Sequence, residues 1–362
     1  MHTHWKANIL GVVLVNTICW QFYPLVDEIE TARTWLEIQH RLQLAPKTID
    51  AYGRSLNDFL GFCARYAIEP ETVTREHVAL YVQDLATRPN PKGVHILTFP
   101  TGCGLSNSTM QQRITVLRLF CDYLVEKQLR PDNPVGRGHY VPGKGFAGAR
   151  DRGLLPHFKA LPWIPDDSEW VRILTAVKQE CLRNRVMLCL AYDGALRREE
   201  VVTLELGDFD VAYRHIHIRP EVTKGGRSRV VGYSAVSSRL LSQYLQRRRE
   251  LSHKAGPLFL SESHRHFAGP LSLMTWSKVV EKIADQIGLP RLTTHTLRHL
   301  RLTHMARARL DLHQIATYAG HASLETTLQY IHLAGVELTE AVSRSLAGFE
   351  QWMENILGGE TP

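Results

Sequence analysis

Long apolar runs are missing from this 362-residue chain, and the one apolar stretch near its start is short. Ile9 to Cys19, ILGVVLVNTIC, falls well below the roughly 20 residues needed to span a bilayer. No small-residue cleavage site follows it; Trp20-Gln21-Phe22-Tyr23 does, which speaks against a secretory signal. The expected reading is an arm or short strand packed on the first domain, with no membrane partner. Cysteine is sparse: Cys19, Cys63, Cys103, Cys121, Cys181 and Cys189 form no C-x-x-C pair. Cys63, Cys121 and Cys189 sit inside apolar helical patterns, where the thiol acts as a small hydrophobe. That usage fits a reducing cytoplasm and argues against a zinc framework. Internal repeats and low-complexity tracts are also absent. Asp and Glu are missing from Thr293 to Arg309, so His295 and His299 have no carboxylate beside them at ligand spacing. No metal site is expected there, and no cofactor.

An acidic excess is lacking too. Lys and Arg number 43 against 36 Asp and Glu, a net charge of +7 with a pI near 9.1. A polyanionic partner is compatible with that balance, although many basic proteins bind no nucleic acid. The length suggests two domains with appendages.

The hydrophobic spacing divides the chain into an N-terminal arm (1–26), a helical segment (27–134), a linker (135–162), a second domain (163–345) and a tail (346–362). In the first domain Val26, Ile29, Trp35, Leu36 and Leu42 recur at helical spacing. Pro46 suits the first turn of a second helix, whose stripe is Ile49, Tyr52, Leu56, Phe59, Leu60 and Cys63. Thr74 is the expected N-cap of a third helix carrying Val78, Tyr81, Val82 and Leu85. After a Pro- and Gly-rich break from about Arg88 to Gly104, Ser106 or Ser108 caps a fourth with Ile114, Leu117, Phe120 and Leu124. Four helices suffice for an independent bundle. The linker holds Arg137, Lys144, Arg150, Arg152 and Lys159 against Asp151, 5 − 1 = +4. A cationic tether of this kind can track phosphates without reading sequence, or simply aid solubility.

The second domain reads as mostly helical with a small antiparallel sheet. Helices are expected over Asp166 to Lys178, Ala235 to Glu250 and Leu271 to Ile287. His215-Ile216-His217-Ile218 alternates as a strand, Thr223-Lys224-Gly225-Gly226 reads as a β-turn, and Val230-Val231 as the returning strand. The fold class is therefore α+β, mainly α.

The chemistry concentrates in Thr293 to Leu333. His295 and Arg298 stand in H-x-x-R order, His321 follows Gly320, and Tyr330 lies nine residues beyond His321. His295 and Arg298, three apart, share one helix face and can approach one phosphate. Cleaving a phosphodiester without metal needs an in-line nucleophile, fixed cations for the transition state, and an acid for the leaving oxygen. Arginine is the preferred cation, because its planar fork donates two hydrogen bonds and never loses its charge. A tyrosine hydroxyl, with a pKa near 10, needs such a field to act as nucleophile. Each residue alone is commonplace, and His is abundant at 18 of 362. Several types in one order at matching spacings are not commonplace.

That order resembles the C-terminal signature of the tyrosine recombinase (phage-integrase) family. Ala45-Pro46-Lys47-Thr48-Ile49-Asp50-Ala51-Tyr52 and Asn133-Pro134 resemble the opening and close of the family's core-binding domain. Arg197 in GALRREE matches the family's first arginine, with Glu200 completing R-x-x-E; Arg198 competes for the role. The usual glycine position is taken here by Ala195, with Gly194 one place earlier. Lys224 in TKGGRSR matches the hairpin lysine, and His299 completes H-x-L-R-H as a buttress. The resemblance implies an N-terminal four-helix core-binding domain and a helical catalytic domain. Its implied catalytic set is Arg197, Lys224, His295, Arg298, His321 and Tyr330. Tyr330 would form a 3′-phosphotyrosyl link that a partner 5′-hydroxyl resolves, without ATP or metal. Lys224 would protonate the leaving 5′-oxygen, and His295 would donate to the phosphate or accept the tyrosine proton.

The implied partners are double-stranded recombination sites, with a homotetramer on two sites, a monomer or dimer when free, and accessory DNA-bending or directionality proteins. Lys47, Arg54, Arg113, Arg118, Arg150 and Arg152 are candidate DNA contacts; solvated helix faces and linker are the alternative. The helix expected from Val336 to Leu357 would cover its own domain or dock on a neighbour. The expected setting is a cytoplasmic, nucleoid-associated recombinase, integrase or transposase of a mobile element. A type IB topoisomerase-like relaxation activity and a catalytically silent DNA-binding regulator remain as alternatives.

Overall fold

The computed structural model describes residues 18–89, 104–135, 155, 161–223 and 225–335. The arm to residue 17, nearly all of the basic linker with Arg150 and Arg152, Lys224, and the helix expected from Val336 lie outside the described residues. The chain divides into two compact units, Met1–Lys159 and Ala160–Pro362.

In the first unit the helices are α1 (Pro24–Glu28), α2 (Glu30–Arg41), α3 (Pro46–Arg65), α4 (Arg75–Thr87) and α5 (Asn107–Glu126). The expected first helix is in fact two. Ile29 leaves the helical region at φ −94°, ψ 111°, so the chain turns and restarts at Glu30. Local signals set the other starts. Pro46 opens α3, the Thr74 hydroxyl accepts the His77 amide at 3.4 Å, and Ser106 accepts the Thr109 amide at 3.3 Å. The apolar stripes meet in one core containing Trp35, Leu56, Phe59, Tyr81, Phe120 and Leu124. Leu42, counted on the first stripe, stands 65 % exposed just past the end of α2.

The second unit contains α6 (Asp167–Lys178), α7 (Leu182–Asp193), α8 (Arg198–Val202), α9 (Ala235–Leu251), α10 (Leu273–Gln286), α11 (Thr294–Arg307) and α12 (Leu312–Ala319). A last helical stretch spans 325–335. The strands β1 (Phe209–Asp210), β2 (His215–Ile218) and β3 (Arg229–Gly232) form one antiparallel sheet in sequence order. Ile216 pairs with Val231 and His217 with Val230. Ile216, Ile218 and Val231 are buried, while His215, His217 and Val230 face outward. Asp166, Ser234, Ser272, Thr293 and Asp311 cap their helices with side-chain oxygens, which is why these starts are readable locally. The main core gathers Leu188, Leu190, Leu196, Tyr244, Phe259 and Trp276. A smaller cluster of Ala195, Leu302, Met305, Ile315, Ala319 and Tyr330 ties α11, α12 and the last helical stretch to the turn before α8. Among the described residues no helix is long and apolar enough to cross a membrane.

Candidate active site

The site is built on the C-terminal end of α12. That helix is closed by Gly320 in the left-handed region (φ 64°, ψ 46°), where glycine carries no Cβ penalty. Its last carbonyls would be orphaned, and the negative end of the helix dipole favours cations there. Three arginines from three elements answer in succession. Arg229 Nε on β3 donates to the Tyr318 carbonyl at 2.9 Å. Arg298 Nη2 on α11 donates to the Ala319 carbonyl at 2.6 Å. Arg197 Nη2, at the N-terminus of α8, donates to the Gly320 carbonyl at 3.3 Å.

Glu200 pairs with two of these arginines and offsets one unit of their charge. It is fully buried and bridges Arg197 Nη1 at 2.9 Å to Arg229, whose Nη1 and Nη2 reach its two oxygens at 3.0 and 2.7 Å. Burial opposes ionisation of Glu200, but the hydrogen bonds and charge of Arg229 and Arg197 outweigh it and hold the pKa at about 2. Arg298 is 1 % exposed and donates its other arm to the Ala195 carbonyl at 2.6 Å. Burial and the charge of Arg197 press its pKa down to about 9, which leaves it charged at neutral pH.

The last helical stretch brings Tyr330 to this cluster. The tyrosine is 1 % exposed, and its ring lies parallel to that of His321, 6.0 Å between centroids and 6° between planes. The hydroxyl is 2.9 Å from Nδ1 of His299 on α11. Burial raises the Tyr330 pKa, while Arg298 and then Arg197 pull against that rise. His321 is held by the buried Thr327 hydroxyl, 2.8 Å from its Nδ1. Burial and the three arginines push His321 down to about 3; burial, His295 and Arg298 push His299 down to about 4. Both imidazoles are neutral at pH 7. His295, exposed on the first turn of α11, sets its ring edge-on to His299 at 5.1 Å. Fixed cations, neutral imidazoles and a phenol are thus assembled, and among the described residues the one carboxylate in the cluster, Glu200, is taken up by Arg197 and Arg229. Such a cluster can bind one phosphodiester and neutralise charge developing on it.

Of the residues singled out in the sequence, Arg197, His295, Arg298, His321 and Tyr330 belong to one cluster, while Lys224 lies outside the described residues. Arg229 joins the cluster although no motif marks it, and His299, expected only as a buttress, touches the Tyr330 hydroxyl. Arg198 turns elsewhere, donating to Ser277 at 3.0 Å. The proposed DNA contacts of the first unit differ among themselves. Lys47 is exposed in the first turn of α3. Arg54 pairs with Asp50 at 2.9 Å and covers the Phe22 ring. Arg113 pairs with Asp58 at 2.6 Å, where Arg88 and the Tyr81 hydroxyl also converge at 2.7 Å. Arg118 donates to the Val135 carbonyl at 3.2 Å.

This combination of helical fold and arginine–histidine–tyrosine cluster defines a tyrosine recombinase, an enzyme that breaks and rejoins DNA. Residues 166–336 match the phage integrase family, and residues 33–130 match the phage integrase N-terminal SAM-like domain. The chain belongs to that family. It is 26 % identical over 305 residues to tyrosine recombinase XerC of Pelotomaculum thermopropionicum, covering 83 % of this chain and 92 % of that one. It is 28 % identical over 292 residues to tyrosine recombinase XerC of Herpetosiphon aurantiacus, covering 80 % and 86 %. The fold is also that of XerH site-specific recombinase, solved in a post-cleavage complex with its palindromic difH substrate. There the TM-score is 0.62 at 20 % identity, covering 90 % of this chain and 87 % of that one.

Proposed function

We propose that the protein cuts and rejoins specific duplex DNA sites through a 3′-phosphotyrosyl intermediate on Tyr330. The observation that carries this reading is the placing of the Tyr330 ring against His321, within the field of Arg298 and Arg197. In this reading the two arginines bind the non-bridging oxygens of the scissile phosphate, with His321 and His295 as further donors. Lys224, which falls between β2 and β3 in the sequence, protonates the departing 5′-oxygen. The 5′-hydroxyl of a partner duplex then attacks the phosphotyrosine, so the bond energy is conserved and neither ATP nor metal is consumed. Residues 27–134 act as the core-binding domain, 163–345 as the catalytic domain, and four protomers assemble on two sites.

Tyr330→Phe tests the proposal. The variant binds site DNA but forms no covalent adduct with a nicked suicide substrate. An adduct that persists removes Tyr330 as the nucleophile. The proposal extends to service of a mobile element, as expected from the sequence. Inverted or direct repeats bounding an element around the gene support that setting, and a site with no such boundary removes it.

A further inference from the structure

We infer that His299, rather than His295, takes the proton from Tyr330 as the phosphotyrosyl bond forms, and returns it on religation. The inference rests on the proposed role of Tyr330. It starts from contact: His299 Nδ1 stands 2.9 Å from the Tyr330 hydroxyl, inside the 2.6–3.2 Å range that direct proton transfer requires. His295 instead meets His299 ring to ring at 5.1 Å, one turn back on α11.

The surroundings suit the task. Both partners are held, Tyr330 by burial in the Leu302–Met305–Ile315 cluster and His299 by its place on α11. In the DNA-free enzyme the groups facing His299 are His295 and Arg298 from its own helix, and Tyr330 and His321 from the chain after α12. Burial, His295 and Arg298 keep the imidazole neutral, and the tautomer protonated at Nε2 offers its Nδ1 lone pair to the hydroxyl. A bound phosphate adds a negative charge to this field. It offsets Arg298 and raises the proton affinity of His299 at the moment the nucleophile must be armed. Substrate binding and base strength are therefore linked.

The step balances. The Tyr330 O–H bond breaks toward Nδ1, the tyrosine oxygen bonds to phosphorus, and the P–O bond to the 5′-oxygen breaks as that oxygen takes its proton from Lys224. Religation runs the same transfers backward, with imidazolium returning the proton to the leaving tyrosine.

His299→Asn separates holding from proton uptake. Its amide oxygen sits about where Nδ1 does and accepts the tyrosine hydrogen bond, yet it binds no proton at working pH. The probe is a nicked suicide duplex built from the repeats flanking the gene. Wild-type adduct formation on this duplex is the control, and its failure counts against Tyr330 chemistry as a whole rather than against His299. The Asn variant is expected to melt and bind like wild type while forming adduct about 100-fold more slowly, with a rate that climbs as pH rises. Adduct formation within about threefold of wild type, with an unchanged pH profile, overturns the inference. Should the Asn variant melt early, His299→Gly with added imidazole replaces it. Recovery of adduct formation that tracks the imidazole pKa sustains the inference, and no recovery overturns it.

Discussion

Arg298 Nη1 donates to the Ala195 carbonyl at 2.6 Å across 103 residues of chain, and Ala195 occupies the left-handed region at φ 47°. The backbone that aims this carbonyl at the arginine is thus held in a conformation that L residues avoid, at a cost of about 1 kcal/mol. Replacing Ala195 with Gly relieves that strain. The gain is offset by the lost burial of one methyl, about 0.8 kcal/mol, and by about 0.4–1 kcal/mol of added unfolded-state entropy. The expected result is a denaturant midpoint within about 1 kcal/mol of wild type and unchanged adduct formation. Ala195→Val, β-branched and fully buried at this φ, is expected to lose about 3 kcal/mol or more. A well-tolerated Val would show that the turn relaxes without disturbing Arg298.

Glu200→Gln isolates the carboxylate that holds Arg197 and Arg229 together. The amide keeps the shape but leaves two guanidinium groups, one of them 5 % exposed, without a counter-charge. Breaking a buried pair from one side costs about 3 kcal/mol. Stability falls by that order in chemical denaturation, and adduct formation falls more than DNA binding because Arg197 loses its anchor. A variant as stable as wild type would mean that the α12 carbonyls alone hold the arginines.

Acid sensitivity follows from the same groups. The folded-state pKa values of His299 and His321, about 4 and about 3, lie below the ordinary histidine value of 6.5. The unfolded chain therefore binds protons first as pH drops. Stability is complete above about pH 6.5 and declines below it, by at most about 1.4 kcal/mol per pH unit for each histidine. Glu200 adds to the loss only below about 4.5, since its depressed pKa confers stability above the ordinary carboxylate value that vanishes as pH falls through about 2. Denaturant midpoints measured from pH 7 to 5 should decline steadily, and His321→Asn should flatten that decline. A flat wild-type profile would mean that both imidazoles reach solvent.

How much of this was legible in sequence depends on reach. Helix starts at Pro46, Thr74, Ser106 and Asp166 are set within four residues, and reading them locally succeeds. The H-x-x-R spacing similarly fixes a shared helix face. Arg229 carries no such local mark. In RSRVV it reads as an ordinary strand residue, and its meaning depends on Glu200, 29 residues before it, and Tyr318, 89 after. The glycine shift likewise has a tertiary cause. A Cβ on Gly194 would come within 3.0 Å of Leu196 and Val231 side chains, so the space is required at 194 while the unusual φ falls on 195. The His299–Tyr330 contact spans 31 residues and the turn at Gly320, a geometry no spacing rule contains.

Lys47 and Arg113 allow an exposed cation of the first unit to be compared with a paired one for DNA binding. Both are candidates on sequence grounds as basic residues expected to be exposed. Arg113 is committed to Asp58 at 2.6 Å in a network with Arg88 and Tyr81, whereas Lys47 is exposed at the start of α3. Arg113→Ala should therefore cost about 1.5–3 kcal/mol of stability, the range for a hydrogen bond to a charged group, with little change in DNA affinity once folded. Lys47→Ala should melt within about 0.5 kcal/mol of wild type. Its DNA affinity should fall evenly across sequences, and the slope of log K against log salt should shrink by about one, as for one lost phosphate contact. Salt-dependent binding titrations on both variants decide this. Equal salt slopes for Lys47→Ala and wild type would remove that lysine from the DNA surface, and a reduced slope for Arg113→Ala would mean that its ion pair with Asp58 opens toward DNA.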